Sequence, residues 1–153
     1  MKRQIKIHLK KEEDYKNKYN DEILSYELSN YIIEETKGFK LSDKFEFIIT
    51  SEFNIEEQEK LVDMIRNCFG TDVSELLNMS KKQSIANSLI LLIGIIFLLL
   101  YYVIVPKFIS ELTLILGWVF IGEAICNFLY KGIENRLNVK RKKQIIDAKV
   151  IFK

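Results

Sequence analysis

The amino-acid sequence predicts a mixed α+β membrane protein, in which a small cytoplasmic α/β domain of order β-α-β-α carries a transmembrane hairpin of two helices. Three observations predict this class. Two long apolar stretches, 85–105 and 108–130, lie close together in the chain. Residues 3–9 alternate apolar and polar side chains, as a half-buried strand does. Two further segments repeat apolar side chains at the three- and four-residue spacing of amphipathic helices.

Three strands are predicted. The first covers 3–9, where Ile5, Ile7 and Leu9 share one face. The second covers 45–50, which is aromatic and β-branched. A strand–helix–strand order favours a parallel pair with a right-handed crossover. Because two strands make a marginal sheet, we expect the terminal segment 149–153 to return as a third strand and complete it.

Two amphipathic helices are predicted between and after these strands. Asn20 and Asp21 precede the first, which ends at Gly38. Its apolar series comprises Ile23, Leu24, Leu28, Tyr31 and Ile32. The second is predicted over 54–70, where Asn54 and a glutamate three residues later form a capping pair and a glycine closes the apolar stripe.

The apolar stretches have the length of membrane spans. About 20 residues at a rise of about 1.5 Å cross the hydrocarbon region, and each stretch reaches that length. Pro106 and Lys107 interrupt them. The domains are therefore predicted as a cytoplasmic α/β domain over 1–80, a transmembrane hairpin over 84–130, and a basic cytoplasmic helix and strand over 131–153 that pack on the first domain.

Basic residues flank the two spans on the side of the chain ends. Residues 131–153 carry eight basic side chains against two acidic ones, a net charge of +6, whereas the turn carries Lys107 balanced by Glu111. The positive-inside rule therefore places both termini in the cytoplasm. Residues 1–83 have a net charge of −3. The basic run could contact lipid headgroups, dock on the acidic domain, or only determine topology. Its members are Lys140, Arg141, Lys142 and Lys143.

Few polar side chains occur inside the predicted spans. Antiparallel pairing about Lys107 puts Asn87 level with Asn127, and Glu123 lies one helical turn before Asn127. A buried carboxylate in lipid is costly, so this polar stripe should face protein. Three interpretations remain open: a proton or cation site in an oligomeric pore, a contact between protomers, or a hydrogen bond from Glu123 to an asparagine of its own hairpin.

The sequence contains no pattern that indicates catalysis. Its one histidine, His8, lies on the polar face of the first strand, and no phosphate-binding loop, paired-cysteine spacing or metal motif occurs. We therefore expect no enzyme, cofactor or metal site. The acidic charge of residues 1–83 also argues against nucleic-acid binding.

The segment Gly117-Trp118, followed by Glu123 and by Leu129-Tyr130 before a basic tail, resembles a group of small bacterial membrane proteins. The resemblance covers about residues 85–153. It implies a multi-pass protein of the bacterial inner (cytoplasmic) membrane, and it implies no activity.

Three classes of function remain, of which an enzyme whose site is shared with a partner chain is the least favoured because no catalytic pattern occurs. The first is a non-enzymatic, membrane-anchored interaction module that self-associates to a homo-oligomer and contacts membrane lipids, with an unidentified protein partner for its cytoplasmic domain. The second is a small oligomeric channel or membrane-perturbing effector gated by that domain. A single hairpin cannot enclose a pore, so the second class requires several protomers.

Overall fold

The computed structural model describes residues 2–153. Five strands are assigned over that range, namely β1 (Lys2–His8), β2 (Lys16–Asn17), β3 (Asn20–Leu24), β4 (Lys44–Thr50) and β5 (Lys149–Phe152). The helices are α1 (Tyr26–Lys37), α2 (Ile55–Val103) and α3 (Lys107–Ile146), with a short 3-10 turn at Glu12–Asp14.

Strands β1, β4 and β5 form a three-stranded parallel sheet of order β1-β4-β5. Phe47 of β4 lies opposite Ile5 of β1 on one side and Val150 of β5 on the other. The predictions of a parallel β1–β4 pair and of a terminal strand that completes the sheet are confirmed. The chain is thus mixed α+β, with residues far apart in sequence joined in one sheet.

The core lies on one face of this sheet. Phe47 and Ile49 of β4 are fully buried there, with the odd-numbered apolar residues of β1. Helices α1, α2 and α3 contribute Leu28, Ile32, Leu61, Met64, Ile65, Phe69 and Ile145 to the same cluster. On the other face, Gln4, Lys6 and His8 of β1 are exposed, whereas Glu46 and Ile48 of the central strand β4 are buried. Alternation of side chains along each strand therefore gives a two-layer arrangement with helices on one side.

The predicted start of the first helix is wrong. Leu24 belongs to β3, which pairs with β2 in an antiparallel ribbon, and α1 begins only at Tyr26. The hydroxyl of Ser25 accepts from the Leu28 N–H and caps the helix. Asn20, expected near the helix cap, instead accepts from the Glu22 N–H inside β3. Local Asn hydrogen bonds to backbone therefore stabilise a ribbon where the apolar spacing predicts a helix.

The predicted end of the second helix at Gly70 is also wrong. Helix α2 continues through Gly70 for 49 residues in all. Within the described chain no glycine has a positive φ, so Gly70 does not adopt the left-handed conformation that ends many helices. Added side-chain atoms at Gly70 would meet nothing within 4 Å. The glycine is accommodated on an open face of the helix.

The described chain divides into two compact units. One is the sheet domain, residues 2–75 with 137–153, and the other is the hairpin unit, Leu76–Arg136. The hairpin unit contains the apolar parts of α2 and α3. Both helices are long and apolar enough to cross a membrane by length and composition.

Small side chains line the contact between the two helices of the hairpin unit. A Cβ at Gly94 would come within 2.7 Å of the Ile121 side chain and 3.1 Å of the Gly117 carbonyl oxygen, so the backbones approach closely there. Phe97 stacks on Phe120 at 5.7 Å between ring centroids. In the part of α3 that belongs to the hairpin unit, the buried residues are Ser110, Thr113, Gly117 and Ala124. This spacing in multiples of three and four is typical of antiparallel helices that cross at a shallow angle.

Candidate functional site

A polar cleft lies between α2 and α3 within the hairpin unit. Asn87 and Asn127, which the sequence places at one depth, line the same cavity of about 230 Å³. Other polar side chains join them, namely Ser80, Gln83, Ser84, Asn135 and Arg136. We call this cavity, with its seven polar side chains, the polar cleft.

Helical periodicity explains why α2 supplies these side chains to the cleft. Ser80, Gln83 and Asn87 follow one another at intervals of three and four residues, and Gly94 lies seven residues further. Residues at this spacing share one face of a helix. The face that packs against α3 at Gly94 therefore continues as a polar face toward Leu76.

The polar cleft continues into an apolar groove. A second cavity of about 330 Å³ shares Ser84, Asn87, Phe128 and Leu129 with the first. Leu91, Ala124 and Ile125 line its remaining surface with Ser88. We call this second cavity the apolar groove. The two cavities together form one amphipathic surface, polar at one end and hydrocarbon-like at the other.

The side chains of the polar cleft keep most of their hydrogen-bonding capacity. Among the described residues, Gln83, Asn87, Asn127 and Arg136 form no hydrogen bond or ion pair. Asn87 and Asn127 are half-buried. Half-buried amides with free donors and acceptors favour a polar ligand or water in the space between them.

The sequence-based prediction identified the two asparagines but missed Gln83 and Arg136. The polar spacing on α2 is the signal that could have found Gln83.

Glu123 does not join the two asparagines. It is exposed on the surface of the hairpin unit, lines neither cavity, and forms no hydrogen bond or ion pair with a described residue. It directly precedes Ala124, which is buried against α2. One residue is a rotation of about 100° on a helix. Glu123 therefore flanks the helix contact, and the structure shows no hydrogen bond from it to either asparagine of its own hairpin.

The basic run is divided between two environments. Arg141 donates hydrogen bonds to the carbonyl oxygens of Thr36 and Phe39, and Lys142 forms an ion pair with Asp72. Lys140 and Lys143 are exposed. Arg141 and Lys142 thus use their donors inside the sheet domain, as the docking alternative expects. Contact with lipid headgroups stays a prediction for Lys140 and Lys143.

Strand β1 leaves one edge of the sheet open. The Leu9 N–H donates to the Thr50 carbonyl at 3.0 Å, so the odd-numbered residues of β1 turn their backbone groups toward β4. Gln4, Lys6 and His8 turn theirs outward. The hydroxyl of Tyr31 donates to the outward Lys6 carbonyl at 3.1 Å. An open strand edge is a surface on which another chain can pair.

A shallow groove of about 580 Å³ runs beside this edge. Its lining comprises residues 6–10, Glu13 and Asp14, and Glu27, Leu28 and Tyr31 of α1. The backbone N–H groups of Lys11 and Lys10 donate to the Asp14 carboxylate and hold its pKa below the usual value. The Asp14 side chain is therefore an anion at neutral pH.

Reactive side chains do not gather in the described part of the chain. His8 is exposed on β1, and no group of three or more His, Cys, Asp or Glu side chains in residues 2–153 is arranged to hold a metal ion. Burial raises the pKa of the Cys68 thiol, which contacts the Ser29 hydroxyl at 3.9 Å. A protonated thiol is a poor nucleophile, so Cys68 has the character of a structural residue.

Comparison of the chain with models of protein families, with curated proteins and with solved structures finds no match.

Proposed function

We propose that this chain is an integral membrane protein whose hairpin spans the cytoplasmic membrane of a bacterium, with both termini in the cytoplasm. Its function is that of a non-enzymatic interaction module. The hairpin anchors the sheet domain at the membrane and associates with the hairpin of another copy. The sheet domain then presents its exposed surfaces to partner proteins.

The exposure of the apolar helices supports membrane insertion. In the most apolar windows of α2 and α3, only 6% and 17% of the residues are buried inside the protein. The core helix of a soluble protein would be mostly buried. Leu92, Leu99, Ile115 and Val119 are among the large apolar side chains left exposed. An exposed apolar surface of this extent is stable in lipid and is a liability in water.

The observation that carries self-association is the position of Glu123. Its side chain lies inside the apolar stretch of α3, about 12 Å from Lys131 along the helix axis, and it has no partner among the described residues. A carboxylic acid at that depth tends to face protein or water. A second hairpin packed on this side of α3 would provide both a polar partner and a cover from lipid.

The open edge of β1 is the competing surface for self-association. Antiparallel pairing of two β1 strands about Lys6 would place one Lys6 opposite the other, and like charges directly opposite are unfavourable. Lysine on an edge strand is also a common device against edge pairing. We therefore assign self-association to the Glu123 side of α3.

The test is the mass of the protein particle in detergent, with the mass of detergent determined separately. We expect the wild type to form a defined oligomer and Glu123→Gln to shift it toward the monomer, since the amide cannot accept the charge-assisted hydrogen bonds that a carboxylate accepts. Glu111→Gln is the matched control, because it removes a carboxylate from an exposed position near the start of α3. It should leave the oligomer intact.

Two results would contradict this assignment. A monomeric wild type would remove self-association altogether. An oligomer that survives Glu123→Gln but dissociates in Lys6→Pro would move the contact to the β1 edge, because proline removes an outward N–H without breaking the pairing with β4.

The exposed Glu123 also favours the second candidate function, a small oligomeric channel or membrane-perturbing effector. Several copies that bring Glu123 together would form a polar ring in the membrane. Cation flux into proteoliposomes separates the candidates. A channel loses flux in Glu123→Gln and keeps it in Glu111→Gln, whereas an anchored module gives no protein-dependent flux.

A further inference from the structure

We propose that the polar cleft and the apolar groove together bind one phospholipid with an anionic headgroup. The headgroup occupies the polar cleft, and one acyl chain lies along the apolar groove. This inference rests on the proposed membrane insertion of the hairpin. It assigns a ligand to a site that is distinct from the Glu123 surface.

The polar cleft has the chemistry of a phosphate site. Arg136 supplies a cation that forms no ion pair with a described residue. A guanidinium presents a planar set of donors that matches two phosphate oxygens. The amides of Gln83, Asn87 and Asn127 add neutral donors, and Ser80 adds a hydroxyl. No residue that lines the cleft is an aspartate or a glutamate, so no side chain of the lining repels an anion.

The apolar groove has the chemistry of an acyl-chain site. Its apolar side chains are those of Leu91, Ala124, Ile125, Phe128 and Leu129. Its polar side chains are Ser84 and Asn87, which it shares with the polar cleft, and the neighbouring Ser88. A soluble phosphate would use only the polar part. A phospholipid uses both the polar cleft and the apolar groove, because its phosphate headgroup and its acyl chain are parts of one molecule.

The depth of the cleft agrees with a lipid headgroup. Asn87 and Asn127 lie within three residues of the ends of the apolar stretches 85–105 and 108–130. Arg136 lies six residues beyond Tyr130, about 9 Å along the axis of α3. Helical side chains lean toward the amino end of their helix, so Arg136 leans back toward the apolar part of α3. Anionic lipids are recognised at such basic clefts between membrane helices.

The test measures retained lipid on the full-length protein by native mass spectrometry in a neutral detergent. Phosphatidylglycerol and phosphatidylcholine with identical acyl chains are titrated separately. We expect one phosphatidylglycerol per chain to be held in preference to phosphatidylcholine. Arg136→Gln should weaken that binding about tenfold, the loss expected for a charge-assisted hydrogen bond. Lys131→Gln is the matched control, since Lys131 is an exposed cation on the same helix outside the cleft lining.

A second pair of variants tests the cavity independently of charge. Gly132 lines the polar cleft, and a Cβ there would meet nothing within 4 Å, so Gly132→Leu can place a side chain in the cleft without a clash. It should abolish lipid retention. Gly122 has the same open surroundings and lines neither cavity, so Gly122→Leu should bind as the wild type does.

Several outcomes would overturn the assignment. If Arg136→Gln and Lys131→Gln weaken phosphatidylglycerol binding equally, the binding is due to diffuse surface charge and not to the cleft. If phosphatidylglycerol and phosphatidylcholine are retained equally, the cleft does not select an anionic headgroup. Displacement of phosphatidylglycerol by excess inorganic phosphate would indicate a soluble phosphate ligand. Release of the protein from membranes by alkaline carbonate would instead contradict membrane insertion itself.

Discussion

The Tyr15 side chain is fully buried, and its hydroxyl is without a hydrogen-bond partner among the described residues. Its ring packs edge-on against Phe53 at 5.3 Å between centroids. Burial raises the pKa of Tyr15, so the hydroxyl remains protonated at neutral pH. The packing of the ring is stabilising, whereas the desolvated hydroxyl is a cost.

We therefore expect Tyr15→Phe to leave the free energy of unfolding unchanged or to raise it by about 1 kcal/mol. Urea unfolding in detergent, followed by circular dichroism, measures the difference. Tyr19→Phe serves as the control, because Tyr19 is 90% exposed. A loss of more than about 1 kcal/mol in Tyr15→Phe alone would show that the hydroxyl forms a hydrogen bond that the structure lacks.

At the residue scale, Gly94 of α2 also packs closely against α3. Gly94→Ala would force its Cβ against Ile121 and against the Gly117 carbonyl, so α2 and α3 must move apart. We expect a loss of about 1 to 3 kcal/mol in the stability of the hairpin. Thermal unfolding in detergent measures it, and Gly122→Ala is the control, since its Cβ meets nothing within 4 Å. Equal melting temperatures would contradict the close packing.

At the scale of the elements, the carboxyl-terminal part of α3 is held against the end of α1 by side-chain donors. Arg141 bonds the carbonyl oxygens of Thr36 and Phe39, and Gln144 bonds those of Leu41 and Asp43. Carbonyl groups at the end of a helix lack intrahelical donors. Helix α3 therefore adds donors to the end of α1, where the Thr36 carbonyl also accepts from the Phe39 N–H at 3.1 Å, and to the loop that leads to β4.

Removing these donors should destabilise the sheet domain. We expect Arg141→Ala to lower its free energy of unfolding by about 1 to 3 kcal/mol, because two carbonyl groups lose a charged donor. Lys140→Ala removes an exposed neighbour and should change it by less than about 0.5 kcal/mol. Protection of β4 amides from hydrogen exchange reports the difference. Similar protection in the two variants would mean that the basic run 140–143 does not stabilise the sheet domain and serves only to contact lipid or to determine topology.

The sequence predicts those elements whose pattern is strong and local. Alternation marks β1, and β-branched and aromatic content marks β4. The ribbon β2–β3 was missed because Ile23 and Leu24 also fit a helical spacing, and the side-chain bonds of Asn17 and Asn20 decide between the two structures. Helix α2 continues past Gly70 because this glycine keeps a negative φ on an open face of the helix, and one glycine inside a helix costs only about 1 kcal/mol.

The sequence predicts only part of the candidate site, because the depth of a residue follows from counting but the face of a helix that packs does not. Counting residues from the turn brings Asn87 and Asn127 to one depth, because antiparallel helices have the same rise. The side of the helix on which Glu123 lies depends on which face of α3 packs on α2. That face is set by Gly94 and Gly117, whose close approach the sequence does not reveal.

At the scale of the whole molecule, the chain leaves one sheet and returns to it. Strand β4 precedes α2, and β5 follows α3 and pairs with β4 in parallel. Residues 76–136 are thus an insertion between two neighbouring strands of one sheet. When the two apolar helices cross a membrane as proposed, both ends of the insertion lie on the same side of it, since both join the same sheet. The basic residues that flank the spans favour the same topology.

Residue accessibility across a membrane tests this account most directly. Single cysteines are introduced as Lys107→Cys, in the turn between the helices, and as Lys140→Cys, near the sheet domain, after replacement of Cys68 and Cys126 by alanine. Right-side-out vesicles are treated with a membrane-impermeant maleimide. We expect position 107 to be labelled in sealed vesicles and position 140 only after the membrane is opened. Identical accessibility of the two positions in sealed vesicles would contradict a hairpin that spans the membrane.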